Sequence, residues 1–194
     1  MIPTSTPSGD VNTKNPNIVI RSDAVYASID LAKKQIEELQ RTHQQLRPKS
    51  PYLIVNTSDN IFILMKDNQP ILKGKCSTGS YILLKTDGDR QWLFKTPRGI
   101  FKVTMKLKNP VWYKPDWAYL EDGLSIPSRE SPKRYQDGVL GDFALGFGQG
   151  YLIHGTLYKR MLGLPVTHGC VRLGDDDMYQ VFQKLTHGSK IFIY

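Results

Sequence analysis

Tyr52-Leu53-Ile54-Val55-Asn56-Thr57-Ser58-Asp59-Asn60-Ile61-Phe62-Ile63-Leu64-Met65-Lys66 sets two short apolar runs on either side of a polar turn. The runs Tyr52–Asn56 and Ile61–Lys66 are rich in β-branched and aromatic residues, and Thr57-Ser58-Asp59-Asn60 separates them, which is a hairpin signal. Outward from this hairpin, Ile71–Ser77 and Tyr81–Lys85 read as further strands, and Thr86-Asp87-Gly88-Asp89 as a turn. Thr96-Pro97-Arg98-Gly99 is another turn, with Pro97 pre-setting φ, and Gly99–Lys106 then alternates as a strand. Phe143–Phe147 and Tyr151–His154 read as paired strands around Gly148-Gln149-Gly150, and Ile191-Phe192-Ile193 as a closing strand. One helix is expected near the C-terminus. It starts at Asp175-Asp176-Asp177, where carboxylates suit the positive end of the macrodipole. Met178, Val181, Phe182 and Leu185 form its apolar face, and Gly188 stops it. Many strands, few helices and no βαβ alternation predict a mainly β (β-rich α+β) domain, a sandwich or curled barrel.

Three other segments frame this domain. Residues 1–21, rich in Pro, Ser, Thr and Asn, read as a disordered tether. Over residues 22–47, Ser22 offers an N-cap, and Val25, Ile29, Ala32, Ile36, Leu39, His43 and Leu46 recur at alternating spacings of four and three. That predicts an amphipathic helix ending before Pro48, which either docks on the domain or supports self-association as a short coiled coil. Docking is the favoured expectation. Within residues 51–194, the stretch 107–140 differs: Pro110, Pro115, Pro127 and Pro132 forbid long regular structure, while Trp112, Tyr113, Trp117 and Tyr119 cluster. A stretch of this length is a lid or binding loop, or an aromatic plug.

Composition narrows the function. The net charge is +8, and the excess of Lys and Arg extends beyond the N-terminal segment. A basic surface suits an anionic polymer. No RNP, zinc-finger or helix-turn-helix pattern accompanies the charge, so nucleic acid is not the expected partner. No stretch approaches the ~18–20 apolar residues of a membrane span. Met1–Gly9 has no apolar core of the kind a signal peptide carries. The two cysteines form no disulfide framework. Cys76 reads as a small strand residue, and both thiols are expected to be reduced.

The chemistry concentrates in Ile153-His154-Gly155-Thr156 and Thr167-His168-Gly169-Cys170-Val171-Arg172. A thiol acts as nucleophile in its thiolate form, so it needs a base or a positive field. His154 and His168 are candidate bases, and Arg172 supplies a fixed positive charge. Gly169 removes a side chain beside the sulfur, and the N–H groups of Gly169 and Cys170 are candidate oxyanion donors. His168 is read mainly as an anchor for its loop. Arg172, Thr156, Tyr151 and Trp112 are candidate substrate contacts. A buried structural cysteine is the bland alternative. It would not need flanking His and Gly. The spacing H-x13-H-x-C, without a nearby carboxylate or second Cys, matches no zinc site, so no metal or other cofactor is expected.

This set resembles the signature of the L,D-transpeptidases with a YkuD-type catalytic domain. Ser77-Thr78-Gly79, Thr96-Pro97-Arg98-Gly99-Ile100-Phe101 and Leu140-Gly141 agree with it in order from about Pro51 onward, and Thr167 stands where the family often has Ser. The resemblance implies the family's β fold over residues 51–194. It also implies Cys170 as nucleophile, His154 as base, and a Gly155 carbonyl that orients the His154 ring. The implied substrates are peptidoglycan stem peptides, in a periplasmic or cell-envelope setting from which a signal peptide has been removed. It implies acyl transfer through a thioester to an amine, and acylation by carbapenems. Hydrolysis of the same thioester (an L,D-carboxypeptidase or endopeptidase) and a non-catalytic wall-binding module are the alternatives.

Overall fold

The computed structural model describes residues 22–86, 88–156 and 159–194. The expected tether, residues 1–21, lies outside them. The chain divides into two compact units, Met1–Arg47 and Pro48–Tyr194. In the first, helix α1 spans Ser22–Leu46, and Val25, Ile29, Ile36 and Leu39 along its apolar stripe are exposed.

In the second unit the chain runs through β1 (Tyr52–Asn56), β2 (Ile61–Lys66), β3 (Gln69–Ser77), β4 (Leu83–Lys85), β5 (Gln91–Leu93), β6 (Gly99–Lys102) and β7 (Met105–Lys108). It continues through β8 (Trp112–Tyr113), α2 (Asp116–Glu121), β9 (Tyr135–Gln136), β10 (Phe143–Gly148), β11 (Tyr151–His154), β12 (Val171–Leu173), α3 (Asp175–Lys184) and β13 (Lys190–Ile193). Nine strands form one sheet in the order β6-β13-β1-β2-β3-β12-β11-β10-β7, and β4-β5 and β8-β9 are separate ribbons.

The opening hairpin forms as its alternation predicts. Leu53, Val55, Phe62 and Leu64 point into the core, and Asn56 caps the turn by accepting from the Ser58 and Asp59 N–H groups. The next turn is tighter than expected. Asp67 and Asn68 both have positive φ, giving a two-residue connection that lets β3 begin at Gln69 rather than Ile71. Similarly, Tyr81 has a φ of 61°, so the strand expected from Tyr81 starts only at Leu83, where it pairs with β5.

The largest departure is at Gly99–Lys106, expected as one strand. Val103-Thr104 breaks it, and the two halves join opposite edges of the nine-stranded sheet. The Val103 N–H donates to the Ser189 carbonyl, and the Thr104 N–H to the Gly146 carbonyl. A two-residue link between the outermost strands requires those edges to lie side by side, so the sheet curls. β3 carries the curl on the other side: Gln69–Lys75 pairs with β2, Cys76-Ser77 with β12. A mainly β, curled sheet is the result.

Helix α3 plugs the curl with Met178, Val181 and Phe182, followed by Leu185. Lys106 closes its far end, Nζ donating to the Phe182 and Leu185 carbonyls, which the helix leaves unpaired. The aromatic segment is folded rather than bare loop. The buried Arg134 guanidinium donates to the Lys114, Pro127 and Ser128 carbonyls and to Asp116, and lies near the Tyr113 and Tyr119 rings.

Candidate active site

Cys170 and His154 meet through strand register. β11 and β12 run parallel, pairing Ile153 with Val171 and His154 with Arg172. This sets Cys170, just before β12, beside Leu152, whose N–H donates to Sγ at 3.4 Å. His154 lies two residues further along the same strand, so one ladder sets the imidazole at the end of β11 and the thiol just before β12. Among the described residues no hydrogen bond joins them. Catalytic pairs are often looser than this ideal before substrate binds.

The His154 ring is buried, and Nδ1 lies 2.8 Å from the Gly155 carbonyl oxygen. A carbonyl only accepts, so Nδ1 carries the proton and Nε2 holds a lone pair in the neutral ring. Burial pulls the His154 pKa down to about 4; the backbone of Gly155 and, less strongly, of Leu140 opposes this, and Arg172 adds to it. Neutral imidazole is therefore the resting form at neutral pH. The Cys170 thiol shifts up, not down. Burial raises its pKa, outweighing the Leu152 N–H and the Arg172 charge, which lower it. Arg172 pulls the thiol pKa down, as its fixed charge suggests, but desolvation outweighs it. Cys76, fully buried, is pushed up to about 12.

The loop before Cys170 is pinned from several directions. The Thr167 N–H donates to the Thr78 carbonyl, and the Ser80 N–H to the Thr167 carbonyl. Thr96 Oγ1 donates to the Gly169 carbonyl and accepts from the Gly79 N–H, both at 2.9 Å. The remote pieces Ser77-Thr78-Gly79 and Thr96 therefore form the cradle of the cysteine loop. Gly169 has φ +127° and a Cβ there would lie 2.7 Å from the Tyr151 ring, so only glycine fits. Thr167 Oγ1 donates to the Cys170 carbonyl at 2.6 Å and accepts from the Gly169 N–H at 3.2 Å. That narrows the oxyanion expectation. The Gly169 amide is engaged inside the loop, leaving the Cys170 N–H as the candidate donor.

His168 points away from the sulfur's partners. Its ring stacks on Trp117 at 4.1 Å, meets Phe94 edge-on at 4.4 Å, and Nε2 lies 2.7 Å from a Glu121 carboxylate oxygen. Trp117 and Glu121 share one face of α2, so His168 ties the cysteine loop to the aromatic segment. Trp112 adjoins Trp117 at 6.1 Å and extends that wall. Glu121 and Phe94 carried no recognisable signal in the sequence, because their partner is remote along the chain. Arg172 is half-buried, and among the described residues no carboxylate pairs with it. Thr156 is buried, and its backbone N–H is hydrogen-bonded to Asp175. Tyr151 lies under Gly169 and stacks on Phe147. No described group of three or more His, Cys, Asp or Glu side chains is placed to hold a metal.

The second unit is similar to known proteins in sequence and fold. Residues 50–193 match the L,D-transpeptidase catalytic domain, YkuD. YqjB of Bacillus subtilis (strain 168), an inferred L,D-transpeptidase, is 32% identical over 152 residues, covering 75% of this chain and 72% of that protein. Among solved structures, an L,D-transpeptidase (residues 123–326) from Xylanimonas cellulosilytica superposes with a TM-score of 0.55 at 19% identity, over 77% of this chain and 62% of that one. The L,D-transpeptidase LdtMt1, solved in complex with imipenem, gives a TM-score of 0.52 at 19% identity over 75% of this chain and 59% of that one. The chain thus spans about three-fifths of these two solved relatives.

Proposed function

Because the chain belongs to the L,D-transpeptidase family with a YkuD catalytic domain, we propose that it is a cysteine acyltransferase acting on peptidoglycan stem peptides. The observation that carries this reading is the His154 ring, neutral and locked through Nδ1, one strand away from the Cys170 thiol. Nε2 takes the thiol proton as Sγ attacks the carbonyl of the L-centred diamino acid joined to D-Ala. The Cys170 N–H receives the oxyanion. Collapse breaks the amide bond, His154 returns the proton to the leaving amine, and D-Ala departs. The acyl group remains on sulfur as a thioester. An amine of a second stem then attacks it, passes its proton to His154, and leaves a cross-link and a free thiol. The half-buried Arg172 suits a substrate carboxylate, which it can clamp bidentately. Thr156, Tyr151 and Trp112 contribute pocket walls.

A thioester that survives until an amine arrives must be shielded from water. The aromatic segment, clasped to His168, is the part of the domain suited to shielding it. The substrate places the protein in the cell envelope, the periplasm where an outer membrane is present. The imipenem complex of LdtMt1 extends the proposal to acylation of Cys170 by a carbapenem.

The test is to incubate the protein with tetrapeptide muropeptide and read products by mass at increasing acceptor concentration. Release of D-Ala with cross-linked dimer is expected. Tripeptide alone at every acceptor concentration would replace the transferase by an L,D-carboxypeptidase. No change in the donor would remove both.

A further inference from the structure

We propose that Asp175 is a positioning residue for His154, acting through the Gly155–Thr156 peptide unit. The proposal rests on the reading of His154 as general base. The Thr156 N–H is hydrogen-bonded to the Asp175 carboxylate, and the Gly155 carbonyl of the same peptide unit accepts from His154 Nδ1. Carboxylate, peptide and imidazole thus form one hydrogen-bonded chain. Polarising a peptide at its N–H strengthens its carbonyl as acceptor, and each bond in such a chain gains about 10–30%. The expected result is a more firmly held Nδ1 proton and a more basic Nε2.

The packing supports a dedicated placement. A Cβ at Gly155 would collide with Asp175 Oδ1, and one at Gly141 would lie 2.5 Å from it. Two glycines therefore make room for this carboxyl. Among the described residues, buried Oδ1 has no hydrogen-bond partner, an arrangement that costs stability. Asp176, at the same helix end, is by contrast 84% exposed in its side chain and paired with Lys159 at 2.8 Å. Asp176 and Asp177 already supply charge to that helix end. The charged groups facing Asp175 are Asp142, Asp176 and Lys159, and burial with Asp142 raises its pKa.

The test uses the full chain labelled with 15N-histidine. The His154 ring resonances are recorded for wild type, Asp175→Asn, Asp175→Ala and the control Asp176→Asn. Both Asp175 variants should move the Nδ1–H proton upfield, and Asp176→Asn should leave it in place. Acylation of Cys170 by a carbapenem should slow ~10-fold in Asp175→Ala, as expected for a misplaced base. It should slow less in Asp175→Asn, which keeps an acceptor oxygen. If Asp175→Ala does not fold, Asp175→Asn decides. An unchanged ring signal in a folded Asp175 variant, or an equal shift in Asp176→Asn, overturns the proposal. Should wild type fail to acylate, the functional reading falls, while the ring signal still decides the role of Asp175.

Discussion

The strand pair β11–β12 and the aromatic segment between β7 and β10 both border the Cys170 loop, but they are held by different means. β11 and β12 are fixed by the backbone ladder, and Thr96 and Thr167 lock the cysteine loop with hydroxyls. The aromatic segment is organised largely by side chains, with the buried Arg134 at its centre, and reaches the cysteine loop through the His168 clasp. His154 ends β11 and Cys170 immediately precedes β12, so one ladder fixes their mutual geometry. The aromatic segment meets the cysteine loop through ring contacts and one hydrogen bond at His168. The two regions are therefore separable by mutation.

The strongest break in this comparison comes from the strand side. Cys170→Ala should abolish turnover with the fold intact, and His154→Ala should cost ~10²–10⁴-fold in rate. Equal rates for His154→Ala and wild type would move the base elsewhere. On the segment side, Trp112, Tyr113, Trp117 and Tyr119 replaced together by Ala should shift products from cross-linked dimer toward tripeptide. Acyl-enzyme formation should be affected less than its partition. An unchanged product ratio in a folded variant would reduce the segment to a structural plug.

A subtler effect is the acid dependence of stability. The His154 pKa is about 4 in the folded chain and ~6.5 when unfolded. The unfolded chain therefore binds the proton first, and stability is lost as pH falls from about 6.5 to 4. The contribution is on the order of 3 kcal/mol. Denaturant titrations of wild type and His154→Gln across that window should show a shallower slope for the variant. Parallel curves would mean that the ring is not held neutral.

Much of this division was legible in the chain. The β1–β2 hairpin declared itself by alternation, and His154, Cys170 and their glycines by residue type. The break at Val103-Thr104 was not legible. The apolar alternation runs through it unbroken, and only the change of strand partners, a tertiary fact, divides it. β12 is three residues long, too short for periodicity to reveal. Asp175 read as a helix-start charge, which it is; its contact with the Gly155–Thr156 peptide depends on two glycines far apart in sequence. The Gly169 amide looked available because nothing local showed that the Thr167 hydroxyl would turn back to it. Backbone pattern predicts elements well where each strand keeps one partner, and poorly where a loop is tied across the fold.

The central claim is that Cys170, and not Cys76, carries the acyl group after deprotonation within a neutral thiol–imidazole pair. Intact-mass measurement and peptide mapping after brief exposure to tetrapeptide donor without acceptor test this most directly. The account predicts a tripeptide acyl adduct on Cys170, absent from Cys170→Ala and strongly reduced in His154→Ala. An adduct on another residue, or turnover of donor with no adduct and no dependence on Cys170, would contradict it.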